Sequence, residues 1–358
     1  MKKIFKKFFS NKRLTFIKTN LNFMLIKIMA KSKFLSSVYY LFSGGFKREH
    51  YSVLNGKLKH LQDIKNKDSN QYLLRRNIHR LEKGLLMRPT RKVFAVGYLE
   101  ETVNCYKALI DSQKGSDFVN LGELKWASDV LTNFFEVAGS HEVIDKMEKV
   151  FSEIKHIDME EDLINTKYVP YVRNLKAKPN VSYENLLELA KFRRSVRWFE
   201  PKSVPKNIVD KAIKLASLSP SACNRQPFKF KIFDDPNLLS KLSELPMGTK
   251  GYSDNIPTMV ALVGDLSAYP FERDRHLIYI DSSLAAMSFI LALETQGISS
   301  CIINWPDIES LEESIVDFLS LKDCERVIML IGIGYPDETG KVAYSKKKNL
   351  HELRQYNI

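Results

Sequence analysis

The chain has 358 residues, 44% of them apolar, enough to build two domains with real cores. Its net charge of +13 is concentrated: residues 1–50 hold twelve Lys or Arg and one acid, Glu49, leaving 43 basic and 41 acidic groups to the other 308 residues. The bulk is near neutral, which excludes an extended nucleic-acid-binding surface as the source of the basicity, and no nucleic-acid partner is expected.

Residues 1–45 mix Lys with Phe, Leu and Ile, as in MKKIFKKFF and LNFMLIKIM. Such a basic tail is either poorly ordered or lies on an anionic bilayer, apolar side chains inserted and lysines at the head groups. Lys27, Lys31 and Lys33 interrupt its best apolar stretch, so no signal peptide is expected. No run of eighteen apolar residues occurs, and no spanning helix is expected.

Residues 46–178 have helical spacing and few strand signals. NQYLLRRNIHRLEKGLLM places Leu73, Leu74, Ile78, Leu81 and Leu85 on one helical face. Arg75, Arg76, His79, Arg80 and Lys83 form a polar face, either solvated or able to bind an anion or an acidic partner. GELKWASDVLTNFFEVA predicts a second helix. No catalytic spacing appears, so the region reads as a helical accessory region, with Pro170 and Pro179 in a polar linker.

Residues 181–358 alternate element types. Ser182 or a neighbour starts a helix through YENLLELAKF, and Pro205 sits in the first turn of another that must stop before Pro220. Strand Phe228–Phe233, a short helix after Pro236 and strand Thr258–Gly264 follow. Then come an apolar helix Leu277–Gln296 ending at Gly297, strand SSCIIN, a helix capped by Asp307 and a final strand RVIMLIGIGYP. Helices and strands around one sheet predict an α/β or α+β sandwich. Cys105, Cys223, Cys301 and Cys324 lack CxxC or His spacing, so no metal site is expected. Reduced thiols imply a cytoplasmic protein, with the tail allowing attachment at the inner face of the membrane.

Two stretches carry the chemistry. In KFRRSVRWFEPKSVP, Arg193, Arg194 and Arg197 surround Ser195, a density of fork-shaped donors suited to phosphate oxygens. In SLSPSACNRQPFKF, Ser219, Ser221, Asn224 and Gln226 offer hydroxyl and amide groups able to address a polar heteroaromatic ring, just before a half-buried strand. A plain turn before a strand explains Ser221 and Asn224 equally well. Trp198 and Trp305 read as packing residues, and Cys223 as a small buried side chain.

Together, RRSVRWFEPKSVPKNIVDKAIKLASLSPSACNRQPFKFKIF resembles the opening of the nitroreductase family of FMN-dependent oxidoreductases. The resemblance continues through GISSCIINWPD and IGIGYPDE, about half the chain. It implies an α+β sandwich with a central mixed, mainly antiparallel sheet flanked by helices and preceded by the helical N-terminal region. It also implies a homodimer with FMN at the subunit interface. Arg193, Arg194, Ser195 and Arg197 match positions on the phosphate side of the flavin. Pro220, Ser221, Asn224 and Gln226 match the stretch that approaches the ring, typically of the other subunit. Where relatives have Ile-Gly-Gly, with an amide facing the flavin N5 region, this chain has Ile302-Ile303-Asn304-Trp305, so the amide would come from Ile303 or Asn304. Near the C-terminus Lys347 fits one place of a basic pair, while Ser345 and Asn349 depart from the pattern.

The resemblance implies an FMN-dependent oxidoreductase that takes hydride from NADH or NADPH and passes it to a nitro, quinone or other small electrophilic substrate with ping-pong kinetics. No GxGxxG follows a strand, and no side chain is singled out as an acid, base or nucleophile. Two alternatives stand beside it. One is a non-catalytic module of the same fold docking at a membrane; the other is an FMN enzyme acting on a specific metabolite without nicotinamide.

Overall fold

The computed structural model describes residues 2–66, 70–113, 121–154 and 165–357, with side chains from Thr15 onward. The chain divides into two compact units, Met1–Ser52 and Val53–Ile358. The first contains α1 (Lys2–Met29), α2 (Lys33–Ser43) and the start of α3 (Lys47–Asn66). Ser32 caps α2 by accepting the Leu35 N–H at 3.1 Å. Phe16, Leu21, Phe23, Met24, Phe34, Leu41 and Phe42 are exposed, so this unit displays much of its apolar surface.

The second unit begins with helices. α4 (Gln71–Leu85), α5 (Val96–Gln113), α6 (Leu121–Val137) and α7 (Glu142–Ser152) bury one face each in a common core. Leu73, Leu74, Ile78 and Leu81 of α4 are buried there as their spacing predicts, and Leu85 packs against the same core. A fully buried Leu or Phe contributes about 1.5–3 kcal/mol, so this core is a major source of stability. Residues 165–182, which contain both linker prolines, follow as largely exposed irregular chain.

The remainder is α+β. In order come α8 (Tyr183–Phe192), α9 (Lys206–Ala216), β1 (Phe228–Phe233), α10 (Pro236–Glu244), β2 (Thr258–Asp265), α11 (Leu277–Glu294), β3 (Ser299–Asn304), α12 (Glu309–Leu319) and β4 (Glu325–Gly334). The sheet order is β1-β2-β4-β3 with every strand pair antiparallel. Its parallel component is a single bridge, Ser195 to Ser300. Because side chains alternate along a strand, Val260 and Leu262 face the core shared with α9 and α11. Met259, Ala261 and Val263 face the core shared with α10 and α12.

One sequence reading is qualified and two are revised. Segment Glu272–Glu294 is long and apolar enough to cross a membrane by composition, although Asp281 and three serines interrupt its apolar run. Ile278, Ala285, Phe289, Ile290 and Leu293 bury one side of α11 against the sheet, which makes it a core helix. Asp307 does not cap α12: that helix starts at Glu309 without a side-chain cap, and Asp307 accepts from Arg326 Nη2 at 2.5 Å instead. A buried guanidinium is a stronger draw for the carboxylate than a helix end. Finally, the helix expected to end at Gln296 stops at Glu294.

Candidate cofactor site

The arginine segment leaves α8 and runs extended beside β3. Val196 N–H donates to the Ser300 carbonyl at 3.0 Å. Phe199 is clamped by Asn255, which accepts its N–H at 2.6 Å and donates to its carbonyl at 3.1 Å. Gly334 makes room for this packing, since a Cβ there would lie 2.8 Å from the Phe199 ring. With Val196 and Phe199 buried, Ser195 and Arg197 are turned outward, while Arg193 and Arg194 are half-buried. Arg194 Nη1 reaches the Arg193 carbonyl at 3.4 Å, and Arg197 lies over the Tyr252 ring at 5.8 Å. Among the described residues no carboxylate forms an ion pair with any of the three arginines. Arg193 is near enough to lower Glu294, but burial dominates and raises that carboxyl above its ordinary range.

The 219–226 loop is built differently. Ser221 Oγ donates to Asp281 Oδ2 at 2.9 Å and accepts the Gln226 N–H at 2.8 Å. Asp281, buried in α11, also accepts the Ala222 N–H at 3.0 Å and the Tyr269 hydroxyl at 3.3 Å. Burial, then Asp281, push the Tyr269 hydroxyl well above its ordinary range, so it remains a donor. Gln226 Nε2 donates to Asn224 Oδ1 at 2.9 Å, and Ser219 shares a 2.7 Å bond with Ser288. Cys223, Asn224 and Gln226 all have φ near +50°, the left-handed region that costs most side chains energy. Arg225 is buried over the Tyr269 ring at 5.0 Å, its Nε without an acceptor. Pro220 is exposed and Ser221, Asn224 and Gln226 are half-buried, so Ser221 serves mainly as a hinge pin of the loop.

On β3, Ile303 is buried in the core and Asn304 is exposed. Because the Ser300 carbonyl points to the free edge, strand alternation turns the amides of Ile302 and Asn304 outward and commits that of Ile303 to the ladder with β4. Asn304 is therefore the better placed of the two expected donors. Lys347 is exposed in the irregular C-terminal segment, and no described contact joins it to the arginines. Trp305 is buried and donates to Glu312 at 2.5 Å, a packing role as expected.

The two motifs lie far apart within one chain. The arginine segment borders β3 at Ser300, which pairs with Ile333 near the end of β4. The loop feeds β1 at the opposite edge, where Phe228 pairs with Gly264, itself beside Arg326. Four strand spacings put about 19 Å across the sheet between them, and seven residues about 23 Å along it. The reading from sequence missed Asp281, Tyr269 and Arg225. The only local signal was an acid inside an otherwise apolar helix.

An α+β domain with an outward arginine segment on one sheet edge and a hydrogen-bonded loop on the other defines the class. Residues 190–255 and 248–335 match the model of the nitroreductase family, so the C-terminal half of the chain is a nitroreductase-family domain, and the family is one of oxidoreductases. A protein of Archaeoglobus fulgidus named "Putative NADH dehydrogenase/NAD(P)H nitroreductase" is 27% identical over 156 residues, covering 43% of this chain and 87% of the relative. Iodotyrosine deiodinase 1 of Sus scrofa is 22% identical over 256 residues, 64% of this chain and 84% of the relative. An FMN-dependent nitroreductase from Clostridium difficile, known from its structure, is 26% identical, with a TM-score of 0.42 over 48% of this chain and 99% of that one.

The residues present fit a flavin mononucleotide. Three arginines that form no ion pair among the described residues, beside an exposed hydroxyl, suit a phosphate group, and the free-edge amide of Asn304 suits a ring acceptor.

Proposed function

We propose that the chain acts as a homodimeric FMN-dependent oxidoreductase that uses NADH or NADPH to reduce a nitro, quinone or other small electrophilic substrate. The observation that carries this reading is α11. Its Asp281 holds the loop, and its Glu294, about 20 Å further along the helix, accepts from Ser299, the neighbour of the Ser300 that bridges Ser195. Between them Ile280, Leu284 and Met287 form an exposed stripe at i, i+4 and i+7, 52%, 43% and 44% accessible. An apolar stripe of this kind suits burial by a partner. If two copies pair α11 antiparallel about a two-fold axis near Met287, the loop of one meets the arginine segment of the other. Each dimer then has two complete sites.

In that arrangement Arg193, Arg194, Ser195 and Arg197 hold the phosphate end, and Pro220–Gln226 of the other copy border the ring. Asn304 offers its amide, and Lys347 adds positive charge. Bound FMN would supply the hydride chemistry. The chain itself positions, compensates charge and limits the space above β3, where Ile302 and Asn304 stand outward. Reductant and substrate take turns in that space. Residues 1–45, with exposed Phe and Leu among lysines, would attach the dimer to an anionic membrane surface.

A second reading, an enzyme for one specific metabolite that does not use nicotinamide, is favoured by the reach of the deiodinase similarity. It spans 256 residues against 156 for the archaeal relative. One experiment separates them: the purified protein's visible spectrum and mass in solution, followed by anaerobic NADH or NADPH. A yellow dimer bleached by either nucleotide supports the first reading. A yellow dimer bleached only by dithionite supports the second. Colourless protein that takes up no FMN removes both.

A further inference from the structure

The helices preceding the nitroreductase domain pack against it at defined points. A Cβ at Gly56 of α3 would lie 2.7 Å from the Leu266 backbone, so the two backbones touch directly. Lys57 pairs with Glu272 at 2.6 Å, His60 Nδ1–H donates to the Ser267 carbonyl at 2.9 Å, and the Tyr72 hydroxyl donates to Asp265 at 3.1 Å. From α4, Arg75 Nε donates to the Asn224 carbonyl at 2.7 Å.

Arg75 is itself held. Its Nη1 lies 3.4 Å from Glu123 Oε2 on α6, and its guanidinium sits over the Trp126 ring at 5.6 Å. The side chain is only 16% exposed. The carbonyl it grips belongs to a residue at φ +52°, between Cys223 at +53° and Gln226 at +51°. Such a turn keeps its shape only when surrounding groups fix it. Asp281 fixes its start at Ser221 and Ala222, and Arg75 fixes its middle.

We propose that Arg75 is a positioning residue for the cofactor-facing loop: clamped by Glu123 and Trp126, it holds the Asn224 carbonyl so that the left-handed turn keeps the shape the cofactor meets. The proposal rests on the flavin reading above. It makes the helical region part of the site rather than an appendage. Lysine can supply one charged donor at this place but not the planar fork that reaches Glu123 and Asn224 together.

The test compares Arg75→Met and Arg75→Lys with Lys57→Ala, which breaks an exposed ion pair on the same packed face. Hydrogen exchange of the 217–230 peptide is followed in cofactor-free protein. FMN affinity and the bound-flavin spectrum are measured in parallel. Arg75→Met is expected to speed loop exchange and weaken FMN binding about tenfold, the worth of one hydrogen bond to a charged group, and to shift the flavin bands. Arg75→Lys falls between, and Lys57→Ala matches wild type. Unchanged loop exchange in Arg75→Met, or equal losses in Arg75→Met and Lys57→Ala, overturns the proposal. If wild type takes up no FMN the functional reading fails, and loop exchange alone still decides what Arg75 does.

Discussion

The arginine segment and the 219–226 loop are built on opposite plans. In the segment the backbone is clamped by Ser300 and Asn255, while the charged side chains form no ion pair among the described residues. In the loop most side-chain bonds run inward, to Asp281, to Ser288 or to the loop itself. Like charges without ion pairs cost the folded protein something, a cost that an anionic ligand would offset on the proposed reading. An internally satisfied loop has little binding energy left to offer and contributes shape. On the proposed flavin reading, affinity for the cofactor resides in the segment and its geometry in the loop.

Three variants put that division at risk. The largest effect is expected for Arg193→Ala combined with Arg194→Ala. Two charge-assisted hydrogen bonds at about 1.5–3 kcal/mol each predict at least a hundredfold loss of FMN affinity. The melting temperature should change little, because no ion pair is broken and Glu294 loses only the longer-range attraction of Arg193. Titration and thermal unfolding check this, and lost stability with intact affinity would invert the comparison.

Next comes Asp281→Ala, which takes the acceptor from three donors, the buried Tyr269 hydroxyl and the half-buried Ser221 hydroxyl and Ala222 N–H. We expect about 3 kcal/mol of lost stability in denaturant unfolding, with FMN binding weakened only through the loop. An unmoved midpoint would mean that Asp281 is not the loop's anchor.

The smallest effect concerns His60, behind the loop. Burial lowers it below the ordinary histidine value; the Ser267 carbonyl opposes this, Arg76 and Arg225 reinforce it, and Asp63 opposes it. The unfolded chain therefore takes up a proton near pH 6.5 that the native protein resists. Stability is full above about pH 6.5 and falls below it, by at most about 1.4 kcal/mol per pH unit. In His60→Gln that part of the acid slope should vanish from melting curves between pH 7 and 5. A slope equal to wild type would place the acid sensitivity elsewhere.

What could be read from the sequence was local. Phe228–Phe233 and Ser299–Asn304 form strands within their expected bounds because alternation and flanking Pro or Gly act over a few residues. Ser182 caps α8, accepting the Asn185 N–H at 3.2 Å, for the same reason. Apart from the two-residue error at the end of α11, the misses are long-range. Asp307 turned to Arg326, nineteen positions away, Ser221 met Asp281 at a separation of 60, and Arg75 met Asn224 at a separation of 149. Arg75 read as part of a solvated or anion-binding face because helix periodicity shows which side is polar and not what lies opposite.

Legible in the chain alone were the chemical kinds: a cluster of guanidiniums, a loop of hydroxyls and amides, and the periods of the helices and strands around them. Tertiary structure alone decided that these two groups occupy opposite edges and opposite ends of one sheet, and that α4 grips the loop. Strand order and helix packing are settled by which surfaces exclude water together, a property of pairs of distant segments that no single stretch of chain contains.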